Sequence, residues 1–134
     1  MELATYLFFN GQCRQAFRFY EKALGGKIEL MMTYGESPEK DKCTTESLDQ
    51  IMHVHLKVGN HSLLASDSPP EHYKKPQGFS VSYTVSSTAE AERAFKALSE
   101  GGQVFMPLGK TFWSECFGMC TDRFGINWMV GCDH

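Results

Sequence analysis

The amino-acid sequence predicts an α+β fold: two βαβββ modules in one chain, with mixed sheets and the helices outside. Three observations predict it. Strand-like and helix-like stretches follow in the order strand, helix, strand, strand, strand, and the order then starts again. The pattern Ala16-Phe17…Gly25-Gly26 returns as Ala94-Phe95…Gly101-Gly102, 78 positions on for the alanine and 76 for the first glycine. The strand stretches alternate apolar with semi-polar residues, so one row packs under a helix and the other lines the opposite sheet face.

The first module justifies itself element by element. Residues 3 to 9 (Leu-Ala-Thr-Tyr-Leu-Phe-Phe) are rich in β-formers. Asn10-Gly11 breaks that strand, with Asn10 as the expected helix N-cap. From Gln12 to Leu24, Cys13, Ala16, Phe17, Tyr20, Ala23 and Leu24 recur at helical spacing, and Gly25-Gly26 stops the helix. Lys27 to Tyr34 reads as a strand, followed by a polar loop over 35 to 49 beginning Gly35-Glu36-Ser37-Pro38. Glu36 reads as a structural cap of that loop. Ile51 to Val58 and His61 to Ser66 form a hairpin about Gly59-Asn60, and a Pro-rich loop runs from Asp67 to Gln77.

The second module repeats the order. Phe79 to Val85 is a strand, Ser87-Thr88-Ala89-Glu90 is a capping box, and Ala91, Ala94, Phe95 and Leu98 share a helix face. Gly101-Gly102 ends that helix. Strands follow at 103 to 106, near 115 to 121 and at 126 to 132, the last two joined by the turn Asp122-Arg123-Phe124-Gly125. The whole chain, 1–134, reads as one domain, with module one at about 1–68 and module two at about 78–132.

Composition bounds the function. The chain has 134 residues and a net charge of −3, with 42% hydrophobic and 22% charged residues. That is a globular balance and lacks the basic footprint of a nucleic-acid binder. No apolar run approaches the ~18 residues of a membrane span. The start Met1-Glu2-Leu3-Ala4-Thr5 does not resemble a signal peptide, so the expected location is cytoplasmic. Five cysteines, an odd count without a C-x-x-C pair, read as packing residues rather than a disulfide framework. Neither a nucleophile elbow nor a phosphate-cradling glycine loop is present, because both Gly-Gly pairs end helices. Clustered Arg or Lys for a phosphonate is likewise missing.

The semi-polar rows carry the site expectation. Met52, Val54, Leu56 and Val58 alternate with Ile51, His53, His55 and Lys57, and Val81, Tyr83 and Val85 alternate with Ser80, Ser82 and Thr84. If the two sheets curve toward each other, these second faces become the wall of a cup suited to a small molecule. The expected lining is Leu7, Phe9, His53, His55, Ser66, Ser80, Ser82, Thr84, Trp113 and Glu115. Phe112-Trp113 would close the mouth over a planar ligand, and Glu115 would meet a cation. His53 and His55 stand on one strand face roughly 7 Å apart, able to exchange protons near neutrality or to bracket an ion if Asp67 or Glu115 helps. Catalytic residues are not assigned.

Motifs spread along the chain resemble one superfamily. They are Tyr6-Leu7-Phe8-Phe9-Asn10-Gly11 with Cys13-Arg14 and Phe19-Tyr20, Tyr34-Gly35-Glu36-Ser37-Pro38, Ala65-Ser66-Asp67, and Thr111-Phe112-Trp113…Phe117-Gly118…Thr121-Asp122…Phe124-Gly125…Trp128-Met129. Together they are similar to the vicinal oxygen chelate superfamily, the glyoxalase/bleomycin-resistance fold, and more narrowly to its PhnB-like branch. The resemblance implies a cup-shaped mixed sheet, a small-molecule ligand and a homodimer. It also implies four metal-ligand positions on the first and last strands, which align with Thr5, Leu64, Ser80 and Met129. None is a good ligand for a divalent first-row ion. The expectation is therefore a binding protein for an unidentified small molecule, with no metal and no cofactor. The alternative is an enzyme using His53 and His55, either as a divergent metal-dependent isomerase, lyase or dioxygenase or as a metal-free acid/base catalyst.

Overall fold

The computed structural model describes residues 1–38, 40–43 and 47–132. The chain divides into two units, residues 1–74 and 75–134. In the first, strand β1 (Thr5–Phe9) leads through helix α1 (Cys13–Leu24) to β2 (Lys27–Thr33), β3 (Ile51–Val58) and β4 (His61–Asp67). In the second, β5 (Val81–Val85) leads through α2 (Thr88–Ser99) to β6 (Gln103–Gly109), β7 (Cys116–Thr121) and β8 (Asn127–Cys132). Each unit holds one four-stranded sheet, ordered β1-β4-β3-β2 and β5-β8-β7-β6. First and last strands pair in parallel and the rest antiparallel, which makes both sheets mixed.

Helix α1 buries the face its spacing predicts: Cys13, Ala16, Phe17, Tyr20, Ala23 and Leu24. Phe17 meets Tyr20 edge-on at 5.4 Å and Phe9 of β1 at 6.2 Å. Truncating a fully buried ring such as Phe17 to Ala costs about 3–5 kcal/mol. The helix start differs from expectation. Asn10 is not the cap; Gln12 takes that position and makes no side-chain capping bond. Asp67, from the end of β4, accepts instead from the backbone N–H of Gly11 at 2.9 Å and of Cys13 at 3.0 Å. Its other oxygen accepts from Ile51 N at 2.9 Å. Buried donors at a helix start need partners, and a remote carboxylate supplies them here.

Both Gly-Gly pairs work in the same way. The first glycine closes the helix or its following turn in the left-handed region, with φ of 67° at Gly25 and 76° at Gly101. The second lies against the carbonyl of the neighbouring antiparallel strand, Gly26 against Lys57 O and Gly102 against Thr121 O, where no Cβ fits. Helix α2 begins with Ser87 Oγ accepting from Glu90 N at 3.2 Å, the serine arm of the expected box, and buries Ala91, Ala94, Phe95 and Leu98.

Strand ends shift modestly. β1 begins at Thr5, not at the fully exposed Leu3. β6 runs on to Gly109 through Pro107, which an edge strand tolerates because a missing N–H there breaks no central ladder. The polar loop carries 3₁₀ turns at Tyr34–Glu36 and Lys40–Lys42. Thr33 and Glu36 form a reciprocal capping box, as the capping role of Glu36 required. Its backbone and side-chain bonds to Thr33 hold the Glu36 carboxyl below the usual carboxylate range. Residue 39 and residues 44–46 of that loop lie outside the described residues.

Candidate functional site

Each sheet has one face under its helix and one open face. In the first unit, register pairs Tyr6 with Leu64, Leu64 with His55, and His55 with Leu30; next to them Phe8 pairs with Ser66 and Met32 with His53. Laterally paired residues share a face, so all of these stand on the open side. Two polar contacts organise it. Tyr6 Oη lies 3.3 Å from His53 Nδ1, with the rings 5.8 Å apart. His55 Nε2 lies 2.8 Å from Ser62 Oγ, and Ser62 donates its hydroxyl proton to Glu2 Oε2 at 3.3 Å. Since the Ser62 proton is spent on Glu2, His55 Nε2 is the donor in its own bond.

Of the five expected lining residues in this unit, two do not belong to its open face. Leu7 and Phe9 are each 2% exposed and pack toward α1; their neighbours Tyr6 and Phe8, at 38% and 52%, face the open side. Ser66 has open-face register beside Phe8 but is buried. Asp67, considered as a third ligand for the histidines, is buried with both oxygens engaged by backbone N–H groups.

In the second unit, Ser82 and Thr84 are exposed on the open face, opposite Met129 and Gly131 of β8. Ser80 precedes β5 with the same parity and is half-buried. Phe117 and Met119 of β7 lie opposite Gly131 and Met129. Trp113 is 57% exposed, its ring 5.4 Å from Phe117 and 4.7 Å from Phe112. Ser114 fixes the turn behind this aromatic group, donating to the carbonyls of Cys116 and Cys132. Glu115 is exposed at the start of β7.

Register shows which neighbours share a face with the residues that the resemblance aligns with metal positions. Thr5 pairs with the buried Leu63, so the open-face neighbour of Leu64 is Tyr6; the neighbour of Met129 is Ser82. Phenol, alkyl, hydroxyl and thioether do not suit a divalent ion that wants imidazole, carboxylate or thiolate. Among the described residues, no three His, Cys, Asp or Glu side chains gather in a metal-holding group.

A cavity of about 470 Å³ lies away from these faces, beside the start of α1. Arg14, Gln15, Arg18, Asp49 and Gln50 line it, so two arginines do meet here. Each has a carboxylate partner: Asp49 lies 3.3 Å from Arg14 and Glu21 3.7 Å from Arg18. The cysteines are all free thiols, and burial raises that of Cys13, with the Asp67 carboxylate adding to the effect.

The paired βαβββ units and their open faces define a member of the vicinal oxygen chelate superfamily, in its PhnB-like branch. The sequence model described as 3-demethylubiquinone-9 3-methyltransferase matches residues 1–131, and the chain belongs to that family. Protein YjdN of Escherichia coli is 28% identical over 138 residues, covering 97% of this chain and 94% of YjdN. The crystal structure of protein PA1353 from Pseudomonas aeruginosa is similar at 51% identity and a TM-score of 0.93, covering 99% and 98% of the two chains. The Bacillus cereus PhnB protein, described as a putative 3-demethylubiquinone-9 3-methyltransferase, shares the fold at 21% identity and a TM-score of 0.83, with 99% and 100% covered.

Proposed function

We propose that this protein binds a small molecule on an open sheet face, without the divalent ion of metal-dependent superfamily members. One observation carries the reading: Tyr6, Leu64, Ser82 and Met129 occupy the facing positions of the outer strand pairs. Each open face supports a ligand with an apolar body and some polar edge, since Phe8 and Leu30 accompany His53 and His55 on the first, and Trp113 accompanies Ser82 and Thr84 on the second. Elemental analysis of untagged protein grown with nickel, zinc, manganese and iron tests the metal half. A near-stoichiometric divalent metal overturns it. A thermal-shift screen of small aromatic and apolar compounds tests the binding half, with failure of every compound counting against it.

A second reading, an acid/base enzyme, is favoured by the Tyr6–His53 and His55–Ser62 contacts. In it, the Tyr6–His53 pair, 3.3 Å apart, supplies the acid/base group beside the bound compound. Replacing His53 and His55 by Ala discriminates the two. Unchanged ligand affinity with lost turnover supports the enzyme, and unchanged behaviour in both assays removes the histidines from the site.

The exposed apolar residues Phe105, Phe112 and Trp113 support a homodimer that covers part of this surface. A light-scattering mass near that of one chain, 15.1 kDa, at micromolar concentration argues against it. Five free thiols support a cytoplasmic, reducing location, which fractionation of the native host tests.

A further inference from the structure

Register on the second sheet gathers three methionines that the sequence scatters. Met106 of β6 stands opposite Met119 of β7, and Met119 stands opposite Met129 of β8. Directly opposed residues share a face with Cβ atoms about 4.5–5.5 Å apart. The thioethers therefore form one row across three strands, which Ser82 of β5 continues. Solvent reaches all three, since Met106 is 39% exposed and the other two are half-buried.

The row has the reach to hold an ion. Its outer members are two strand spacings apart, roughly 9–10 Å. A methionine carries its sulfur about 4 Å from its Cα on freely rotating bonds, so three sulfurs can converge on the space above Met119. The chemistry around the row is selective. The paired positions of this face include Ser82, Thr84, Phe117, Thr121 and Asn127, and none holds Lys, Arg, Asp or Glu. Glu115, exposed just before β7 and four residues from Met119, is the one carboxylate of the same parity on this strand, too few for a hard cation that wants several oxygens. Thioethers are soft donors that select soft ions such as copper(I). Phe117 lies on the same face two residues from Met119, with the Trp113 ring beside it, and offers π-density to a cation.

We propose that Met106, Met119 and Met129 form a site for one soft monovalent cation of the copper(I) class, flanked by Phe117 and Trp113. The site is independent of the divalent-ion reading above, and either one stands if the other fails.

Silver(I) is the probe, added as the nitrate to full-length protein labelled with ¹³C at the methionine methyls. A Cys43→Ser background removes the half-buried thiol. The chain has seven methionines, and single Met→Leu variants assign the signals. The expected result is that the Met106, Met119 and Met129 signals move together and saturate at one equivalent, while the other four stay still. Met119→Leu, a volume-conserving change, should weaken binding by more than about 100-fold, beyond the effect of losing an outer-shell partner. Circular dichroism confirms that the variant folds. Absence of shifts in these three signals overturns the site. So does silver binding that survives Met119→Leu and disappears when Cys116 and Cys132, opposite each other on the helix side, are replaced by Ser. In either case the row is an apolar surface only.

Discussion

Replacing Asp67 by Ala should destabilise the first unit by about 2–6 kcal/mol. Its carboxylate is 2% exposed and accepts from Gly11, Cys13 and Ile51 at 2.9 to 3.0 Å. Gly11 is at the surface, where water can replace the lost acceptor. Cys13 and Ile51 are wholly buried, and neither N–H can recover a partner there. An unsatisfied buried donor costs about 1–3 kcal/mol, and two such groups give the range. Against a total of about 5–15 kcal/mol, that is a large fraction. Asp67→Asn is the finer probe. One amide oxygen still serves Gly11 and Cys13, while the amide NH₂ faces the Ile51 donor, so the loss should be about half as great. Urea unfolding followed by far-ultraviolet circular dichroism is the right assay, because Trp113 and Trp128 both lie in the second unit and report on it. A loss below about 1 kcal/mol for Asp67→Ala would refute the view that this carboxylate holds the start of α1 to β3 and β4.

The remaining expectations use the same physics. Gly26→Ala and Gly102→Ala should each cost more than about 2 kcal/mol, since the new Cβ meets backbone that cannot step aside, whereas Gly25→Ala, with open space around it, should cost about 1–2 kcal/mol for its left-handed φ; urea midpoints rank them. Asp122→Asn should lower stability and shift the Trp128 emission. Asp122 Oδ2 accepts from Trp128 Nε1 at 2.8 Å, and Oδ1 accepts from Phe124 N and Ile126 N. Unchanged emission would count against that bond. Burial, then Asp67, raises the Cys13 thiol above its ordinary 9.0, so the fold favours the neutral form. That contribution is complete below about pH 9 and falls away as the pH rises further, because the unfolded chain ionises first. Cys13→Ala should therefore flatten the alkaline fall in stability, and a slope equal to that of the parent would contradict the assignment.

Periodicity carried the elements, but it could not carry every face. In β3 one apolar row alternates with one polar row, and Val54 and Leu56 are buried as expected. Tyr6, Leu7, Phe8 and Phe9 are all apolar or aromatic, so β1 offers no contrast by which to tell its two sides. Only the pairing of Leu7 with Ala65 and Phe8 with Ser66 fixes them, and that is long-range information. The same holds for the methionine row, whose members lie on three strands with one methionine each. Asp67 shows another limit. As the first residue of a Pro-rich loop it reads as a candidate third ligand for the histidines, yet it is the buried acceptor for the N–H groups of Gly11, Cys13 and Ile51.

The two units repeat their scaffold and diverge where it is open. Helix, left-handed glycine and close-approach glycine recur in both, and in both the second glycine packs on the carbonyl of the neighbouring strand. These features determine whether the unit folds, so a duplicated module has little freedom to lose them. The open faces are under no such demand. One presents the phenol of Tyr6 and the imidazoles of His53 and His55; the other presents Met106, Met119, Met129 and Phe117, which are soft, polarisable and uncharged. Side chains that served only to meet water would be charged, and Lys57 is the one paired open-face position of β3 that is. Apolar and aromatic groups are left at 38–62% exposure on Tyr6, Phe8, Leu30, Phe105, Met106 and Trp113, which is what the proposed binding role calls for. Substitutions on the second face, at Met119 above all, should then weaken the binding of soft ions and leave the stability of the first unit unchanged.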